Sequence, residues 1–258
     1  WQLRGKPRGL LRASLQDPWR GDLTNGRDIL SHRLDPLGDA AYFQSFEWIR
    51  DLRVEGGSDA RARARDLIAG WVDSNQRWQL PDWRPDIMGR RLAILALNYG
   101  WDGHSAPEQF QDKLSAALDM QLNCLATDWR RVRSAEDQIS ALRGLALAEV
   151  AFGISQEKFA ALLDLIMPKL DSVILADGGH ISRMPDRNVT LMRQLVGQLR
   201  LCYHRKYESQ NLKCTTRQIS SNCDSCKRYT SPLILGNVSF IQPRTDGTLQ
   251  NFSIWLLW

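Results

Sequence analysis

A helix is predicted most clearly by the stretch Asp86-Ile-Met-Gly-Arg-Arg-Leu-Ala-Ile-Leu-Ala-Leu-Asn98. Its apolar side chains recur at the spacing of one face of an α-helix. The positions expected to point inward are Ile87, Leu92, Leu95 and Ala96. Pro85 fits the first helical turn, and Gly100 lies beyond the expected end. We therefore expect a helix with a buried apolar face here.

Helical patterns continue on both sides of this stretch. Further helices are expected in residues 43–52, from Ser58 onwards, from Ser105-Ala-Pro-Glu108 to about Leu125, from Ser134-Ala-Glu-Asp137 onwards, and over Gln156–Val173. The two serine-led tetrapeptides have the form of capping boxes, in which a serine hydroxyl accepts a hydrogen bond from a free backbone amide. Gly56-Gly57 is a stop signal between two of these helices, and Ser58 is the expected N-cap of the second.

The pattern of these helices indicates the fold class. No alternation of period two persists for more than a few residues before position 200, so no large sheet is expected there. Successive helices of roughly 12–20 residues with short connections favour antiparallel helix pairs. Such pairs either stack as a solenoid or close into an α/α toroid, and no internal repeat decides between the two. The expected fold class is all-α.

The composition changes near residue 200. Residues 1–200 contain 21 alanines, whereas residues 201–258 contain none and hold four of the five cysteines. Because periodicity also fails in the second region, we expect a helical domain over 1–200 and an irregular tail over 201–258. Cys223-Asp-Ser-Cys226 has the spacing of a zinc ligand pair, but no second tight pair accompanies it, so no metal site is predicted.

The net charge of +5 is concentrated in the tail. Residues 201–258 hold seven Lys and Arg against three Asp and Glu, and residues 1–200 hold 27 against 26. The main body is therefore nearly neutral and lacks the basic stripe of a nucleic-acid-binding surface. No stretch approaches the roughly 18 apolar residues that a membrane helix requires. We expect no nucleic-acid partner and no transmembrane segment.

Several segments of the body carry a family resemblance. They are Asp17-Pro-Trp-Arg-Gly-Asp22 followed by Gly26-Arg27, then Phe46-Glu-Trp-Ile-Arg-Asp-Leu52, then Trp71 and Trp78 followed by Trp83-Arg-Pro-Asp-Ile-Met-Gly-Arg-Arg91, and finally Leu175-Ala-Asp-Gly-Gly-His-Ile-Ser-Arg-Met-Pro185. In this order they resemble the helical N-terminal region of bacterial heparinase II/III-like proteins, a group of polysaccharide lyases. The likeness extends over residues 14–200.

The resemblance implies an α/α toroid, partial or complete, followed by a β-sandwich that the short tail cannot supply. It implies β-elimination on an acidic, uronate-containing polysaccharide. In that reaction a base removes the proton α to the uronate carboxylate, an acid protonates the leaving oxygen, and polar groups neutralise the carboxylate. The resemblance implies no cofactor, and it places the protein in the bacterial cell envelope or periplasm.

Four substrate-binding residues are suggested by the same likeness. His180 and Arg183 would face the sugar from the turn that begins at Asp177-Gly-Gly, with Arg183 pairing a carboxylate. Trp83 would stack on a sugar ring, and Arg84 would bind its carboxylate. The alternatives are that His180 anchors the turn by hydrogen bonding and that Trp83-Arg84 packs at a helix start.

The catalytic residues are not identified by the resemblance. Glu136-Asp137 stands where characterised members have an Asn-His pair, and Asp186-Arg187-Asn188 stands where many have a Tyr-His pair. The expectation is therefore a lyase that is incomplete and weakly active or inactive. The alternatives are a non-catalytic carbohydrate-binding or envelope-associated helical module, and a truncated gene product with no function of its own.

Overall fold

A computed structural model describes residues 9, 11, 15–34, 40–75, 83–175, 179–187, 190–191, 235–243 and 249–257. The chain divides into two compact units, Trp1–Tyr207 and Glu208–Trp258. The assignment of a domain to 1–200 and a tail to 201–258 stays a prediction. The cysteine pair Cys223 and Cys226 lies outside the described residues.

In the first unit the described residues form eight α-helices of known bounds and one short 3-10 helix, and residues 185–187 and 190–191 are helical as well. The α-helices are α1 (Leu23–Leu30), α2 (Ala40–Ser45), α3 (Trp48–Glu55), α4 (Gly57–Ser74), α5 (Pro85–Asp102), α6 (Glu108–Asp128), α7 (Ala135–Ala151) and α8 (Gln156–Val173). The 3-10 helix is Trp129–Arg131 and follows α6 directly. The only pairing outside named strands that is described in this unit is an isolated bridge between Ile174 and His180. The predicted helical character of the body is confirmed.

Helices α5 and α7 form the centre of the core and pack most extensively against each other. Leu92, Leu95 and Ala96 are buried as expected, whereas Ile87 is only partly buried. The two backbones meet at Gly89 and Gly144, where a Cβ on Gly144 would lie 2.6 Å from the Gly89 carbonyl carbon. Only glycine permits this approach, so the two glycines fix how closely α5 and α7 pack.

The capping predictions succeed at one serine and fail at two. The Ser134 side chain accepts a hydrogen bond from the Asp137 backbone amide, as predicted for the start of α7. Ser105 does not cap α6, because its hydroxyl accepts a hydrogen bond from Arg65 Nη2 at 3.0 Å and the helix begins at Glu108. Ser58 does not cap α4 either, since that helix already begins at Gly57.

The helix expected over residues 43–52 is interrupted at Phe46. This residue has a left-handed φ of +62°, which separates α2 from α3. The break lets Phe46 and Trp48 both enter the core, with ring centroids 5.3 Å apart, and Phe46 also meets Trp71 edge-on at 5.2 Å. A left-handed bulky residue is strained, so packing of the aromatic cluster outweighs the local preference.

Arg91 crosses the same aromatic cluster and is fully buried. Its guanidinium carbon lies 4.1 Å from the Trp71 ring centroid. Its Nε donates to Gln121 Oε1 at 2.7 Å, and its Nη1 donates to the Gln44 carbonyl oxygen at 2.7 Å. Hydrogen bonds and ring contact compensate the loss of water around this cation, so Arg91 is a structural residue of the core.

The described part of the second unit is a two-stranded antiparallel ladder. Strands β1 (Leu235–Pro243) and β2 (Leu249–Leu257) pair from Leu235 opposite Leu257 to Pro243 opposite Leu249. The prediction of an irregular tail is therefore wrong for these residues. Each of the apolar runs near positions 235–241 and 252–257 is too short to predict a strand by its own periodicity. The two runs nevertheless pair with each other along nine positions.

No helix within the described residues combines the length and the apolar character needed to cross a membrane.

Candidate functional site

An open cleft of about 170 Å³ lies beside the first turn of α7. Its walls come from α5, from α7 and from the chain that follows His180. The lining residues are Arg90, Glu136, Asp137, Ser140, Asp186, Arg187, Thr190 and Leu191. The Ser134 cap fixes the first turn of α7, so Glu136 and Asp137 are held at the mouth of the cleft.

Glu136 is the centre of an ionic cluster at this site. Its Oε1 lies 3.1 Å from His180 Nε2 and 3.3 Å from Arg187 Nη1. The contact with His180 is within ionic distance but outside hydrogen-bonding geometry. The chain after α8 is thus joined to the start of α7 through one carboxylate.

His180 lies in a turn and is 2% exposed. Its Nδ1 accepts a hydrogen bond from the Ser182 backbone amide at 3.1 Å and lies 2.7 Å from the Ser182 hydroxyl. These contacts assign the proton of the neutral ring to Nε2, which faces Glu136. The Leu175 amide donates to the Gly179 carbonyl and the Ile181 amide to the Val173 carbonyl, which closes the turn. His180 therefore occupies the anchoring position that the sequence left open as an alternative.

Ser182, His180 and Glu136 are neighbours in space, in the same order as the nucleophile, base and acid of a catalytic triad. Two features argue against that use. The Nδ1 atom is shared with a backbone amide, and Nε2 has no properly aligned hydrogen bond to Glu136. A base in a catalytic triad is oriented by a third group through a hydrogen bond. The contacts of His180 therefore hold the turn in place and do not activate the Ser182 hydroxyl.

Arg84 lies near the cleft and is paired. Its Nε and Nη2 donate to the two carboxylate oxygens of Asp86 at 3.0 and 2.9 Å, a two-point contact at the start of α5. Burial raises the pKa of the neighbouring Asp137 carboxyl, and the charges of Asp86 and Glu136 raise it further, against the lowering effect of Arg84 and Arg90. The cationic side chain of Arg84 is thus already balanced by local carboxylates.

Trp83 is placed in the core. It is 1% exposed, and its indole nitrogen has no hydrogen-bond partner among the described residues. An indole in this position presents no face for a sugar ring. The packing alternative describes its observed position, and the proposed role of Trp83 in binding substrate stays a prediction.

Arg183 lies on an exposed segment, residues 181–187, with a left-handed φ of +55°. Its backbone amide donates to the His180 carbonyl at 2.8 Å. Ile181 and Met184 in the same segment are 57% and 55% exposed, the highest values among the exposed large hydrophobic residues described. The segment therefore presents apolar side chains beside Arg183 and Arg187.

The structure brings together only part of the predicted site. His180 lies against Glu136, and Arg84 lies near Asp137, which lines the cleft. Trp83 is in the core, and Arg183 is on the exposed segment. In the sequence, Glu136-Asp137 is distinguished only as a departure from the lyase pattern. No periodic signal distinguished the lining residue Arg90 from its neighbours in α5. The segments at Asp177 and Asn188 lie outside the described residues.

No protein-family model matches the chain, and no solved structure matches it. The chain is similar to FtsZ-localized protein C of Caulobacter vibrioides (strain NA1000 / CB15N), with 29% identity over 212 residues. The aligned region covers 74% of this chain and 36% of the relative. The chain thus spans about a third of the length of the protein that it matches.

These findings correct the interpretation as a heparinase II/III-like lyase. The similarity is to an FtsZ-localized protein, and no lyase family model matches. The short segments that carried the resemblance are composed largely of Trp, Arg, Asp and Gly, which also serve packing and turns in this fold. The expected β-elimination and the acidic polysaccharide partner are accordingly unsupported.

Proposed function

We propose that this chain is a helical binding module that associates with FtsZ. The observation that carries the proposal is its similarity to FtsZ-localized protein C over most of the present chain. Because the match covers a minor part of the relative, the proposal concerns binding by this region and not the activity of a whole protein.

The chemistry of the cleft supports binding over catalysis. Glu136 accepts a hydrogen bond from Arg187, and beside the cleft Asp86 is paired with Arg84. An arginine held against a carboxylate stabilises the charged form of that carboxylate and makes it a weaker base. A surface of this kind is better suited to recognising a partner than to proton transfer.

The exposed segment, residues 181–187, is the proposed contact surface for FtsZ. Ile181 and Met184 supply apolar area, and Arg183 and Arg187 supply cationic groups at its edge. An apolar centre with a polar rim is the usual organisation of a protein interface, in which Arg is enriched and Met is tolerant of different partners. The hydrogen bonds around His180 hold the start of this segment in one conformation, which reduces the conformational entropy lost on binding.

The arrangement of the helices as a partial or complete α/α toroid, built of antiparallel pairs, is part of the same proposal. The close packing of α5 on α7, which are separated in sequence by α6, supports it. In stacked helix pairs, alternate helices lie side by side. A solution structure determined by NMR or crystallography tests the arrangement, and a bundle without a ring of helices would contradict it.

Imaging in cells tests the proposed association and the location together. A fluorescent fusion of the chain, expressed with labelled FtsZ in the organism that encodes it, is expected to accumulate where FtsZ accumulates. The location in the envelope or periplasm stays a prediction, and a signal distributed evenly around the cell margin and indifferent to FtsZ would favour it. That pattern would contradict the association with FtsZ.

A further inference from the structure

Four cations lie around Trp129, where the 3-10 helix that follows α6 approaches α8. Arg130, Arg131 and Arg133 are exposed, and Lys169 of α8 is partly buried. The guanidinium carbon of Arg130 lies 4.1 Å from the Trp129 ring centroid, and Lys169 Nζ lies 5.3 Å from the same centroid. The indole thus brings together cations from two elements that are far apart in sequence. We call Arg130, Arg131, Arg133 and Lys169 the basic patch.

Most of the positive charge of the basic patch is not balanced by the described residues. Arg131 Nη1 lies 3.3 Å from Asp128 Oδ2, whereas Arg130, Arg133 and Lys169 form no ion pair with a described residue. Because Arg130 and Lys169 contact the same ring, their charges are within about 10 Å of each other, and like charges at that separation repel at low salt. A bound anion would relieve this repulsion.

The other carboxylates that are near the basic patch in sequence belong to different surfaces. Asp164 and Asp171 lie on a different side of α8 from Lys169, since they are five residues before it and two residues after it. Glu136 and Asp137 at the start of α7 line the cleft. Four cations against one carboxylate leave three positive charges in one place, although the charges of residues 1–200 as a whole nearly cancel.

The surroundings of Trp129 indicate which class of anion the basic patch accepts. Trp129 is 5% exposed, and its ring is in contact with two cations, so the indole is not available to stack on a nucleic-acid base or to enter a lipid headgroup layer. Three of the four cations are arginines, whose planar guanidinium groups bind carboxylates through two parallel hydrogen bonds. The carboxylates of a polypeptide fit such a surface.

We propose that the basic patch is a docking surface for an acidic segment of a partner protein, in which several Asp or Glu side chains lie close together. Their carboxylates pair with the exposed guanidinium groups and with Lys169, and they offset the charge that Asp128 leaves unbalanced. This surface is separate from the exposed segment at residues 181–187, and the proposal does not rest on the association with FtsZ.

Fluorescence anisotropy of a labelled decaglutamate peptide, titrated with the whole chain, tests this surface. A saturable rise is expected for decaglutamate and none for a neutral peptide of glycine and serine of the same length. The affinity is expected to fall as sodium chloride increases from about 50 mM to about 200 mM, because salt screens exposed charges. Sedimentation with vesicles of phosphatidylglycerol, and with vesicles of phosphatidylcholine as the neutral control, is measured at the same ionic strength. Binding to the anionic vesicles without binding to decaglutamate would overturn the proposal in favour of a membrane surface.

A pair of double variants assigns the binding to the basic patch. Arg133→Gln/Lys169→Gln is expected to bind decaglutamate about tenfold more weakly, since exposed ion pairs contribute modestly and two of them are lost. Arg27→Gln/Arg33→Gln removes two exposed cations that already pair with Glu55 and Asp28, and it should bind as the wild type does.

If the first double variant does not fold, Arg133→Gln alone decides, because Arg133 makes no hydrogen bond or ion pair with a described residue. It is expected to bind about threefold more weakly than the wild type. The proposal is overturned by equal affinity in the patch variant and the control variant, by an unchanged affinity in Arg133→Gln, or by a wild-type chain that shows no saturable binding to decaglutamate.

Discussion

Replacing Gly144 by alanine is expected to lower the melting temperature by about 6–12 °C. The added Cβ would lie 2.6 Å from the Gly89 carbonyl carbon, and both groups belong to buried helix backbone. No side-chain rotation relieves such a clash, so α5 and α7 must move apart and loosen the contacts between them. A loss of about 3 kcal/mol is at the upper end for overpacking, and it corresponds to this shift for a chain of this size.

Gly70→Ala is the matched control for this substitution. Gly70 lies inside α4, and a Cβ there would meet nothing within 4 Å. Because alanine favours helix more than glycine does, this variant is expected to gain about 0.5–1 kcal/mol. Thermal unfolding followed by circular dichroism measures both variants. A Gly144→Ala protein as stable as the wild type would show that the helices do not cross at these glycines.

Replacing Asp102 by asparagine is expected to remove a large part of the pH dependence of stability. Asp102 is fully buried, and no side chain among the described residues donates a hydrogen bond to its carboxyl oxygens. Burial raises the pKa of this carboxyl to about 7, against the lowering effect of the backbone amides of Gly103 and Asp102 and of the Arg65 and Arg53 charges. Burial, followed by the Asp102 charge, also raises the pKa of nearby Tyr99.

The direction of the effect follows from proton binding. The folded protein binds the Asp102 proton more tightly than the unfolded chain, so its stability falls as the pH rises from about 4 to about 7. Each pKa unit corresponds to about 1.4 kcal/mol, so the fall is on the order of a few kcal/mol. The neutral Asp102→Asn side chain does not undergo this loss, and the variant should exceed the wild type in stability above pH 7.

Urea unfolding at pH 4.5 and pH 8 measures the difference between the two proteins. Asp112→Asn, which removes an exposed carboxyl of α6, is the control and should keep the pH dependence of the wild type. If Asp102→Asn loses as much stability between these two pH values as the wild type does, the buried carboxyl is ionised in the folded protein throughout, and the account of its environment fails.

Helices with strong local signals could be predicted from the sequence. The bounds of α8 and the cap of α7 were correct because they depend on hydrogen bonds within a few residues of each other. The Ser105 cap failed because α6 begins only at Glu108, with Pro107 at its N-cap position, and the Ser105 hydroxyl accepts a hydrogen bond from Arg65, which is distant in sequence. Local patterns contain no information about such a competitor, so they predict helix existence better than helix ends.

The interruption at Phe46 and the pairing of β1 with β2 illustrate the same limit. The 43–52 pattern fits a single helix, and only the contacts of Phe46 with Trp48 and Trp71 explain why the chain turns there. In the sequence each strand is only a short apolar run, and its pairing with the other strand cannot be inferred from that run alone. Tertiary packing decided both cases.

The candidate site was harder to predict than the fold. Arg90 lines the cleft, but the periodicity of α5 does not distinguish it from its neighbours. The segments around His180 and Trp83 were composed of residues common in turns and packed loops, and a family resemblance based on them led to the wrong chemistry. The similarity that corrected it extends over 212 residues and does not depend on short motifs.

Co-sedimentation with FtsZ tests the central claim most directly. Purified chain is mixed with FtsZ from the same organism, assembled with GTP, and the pelleted fraction is measured as the FtsZ concentration increases. The wild type is expected to pellet in a saturable way, and Ile181→Ser/Met184→Ser is expected to bind about tenfold more weakly because it removes the apolar centre of the contact surface. Leu165→Ser/Met167→Ser changes two exposed apolar residues of α8 and should bind as the wild type does. Equal binding by both double variants would show that the contact surface is not the segment at residues 181–187. A wild-type chain that stays in the supernatant at every FtsZ concentration would contradict the claim that this chain associates with FtsZ.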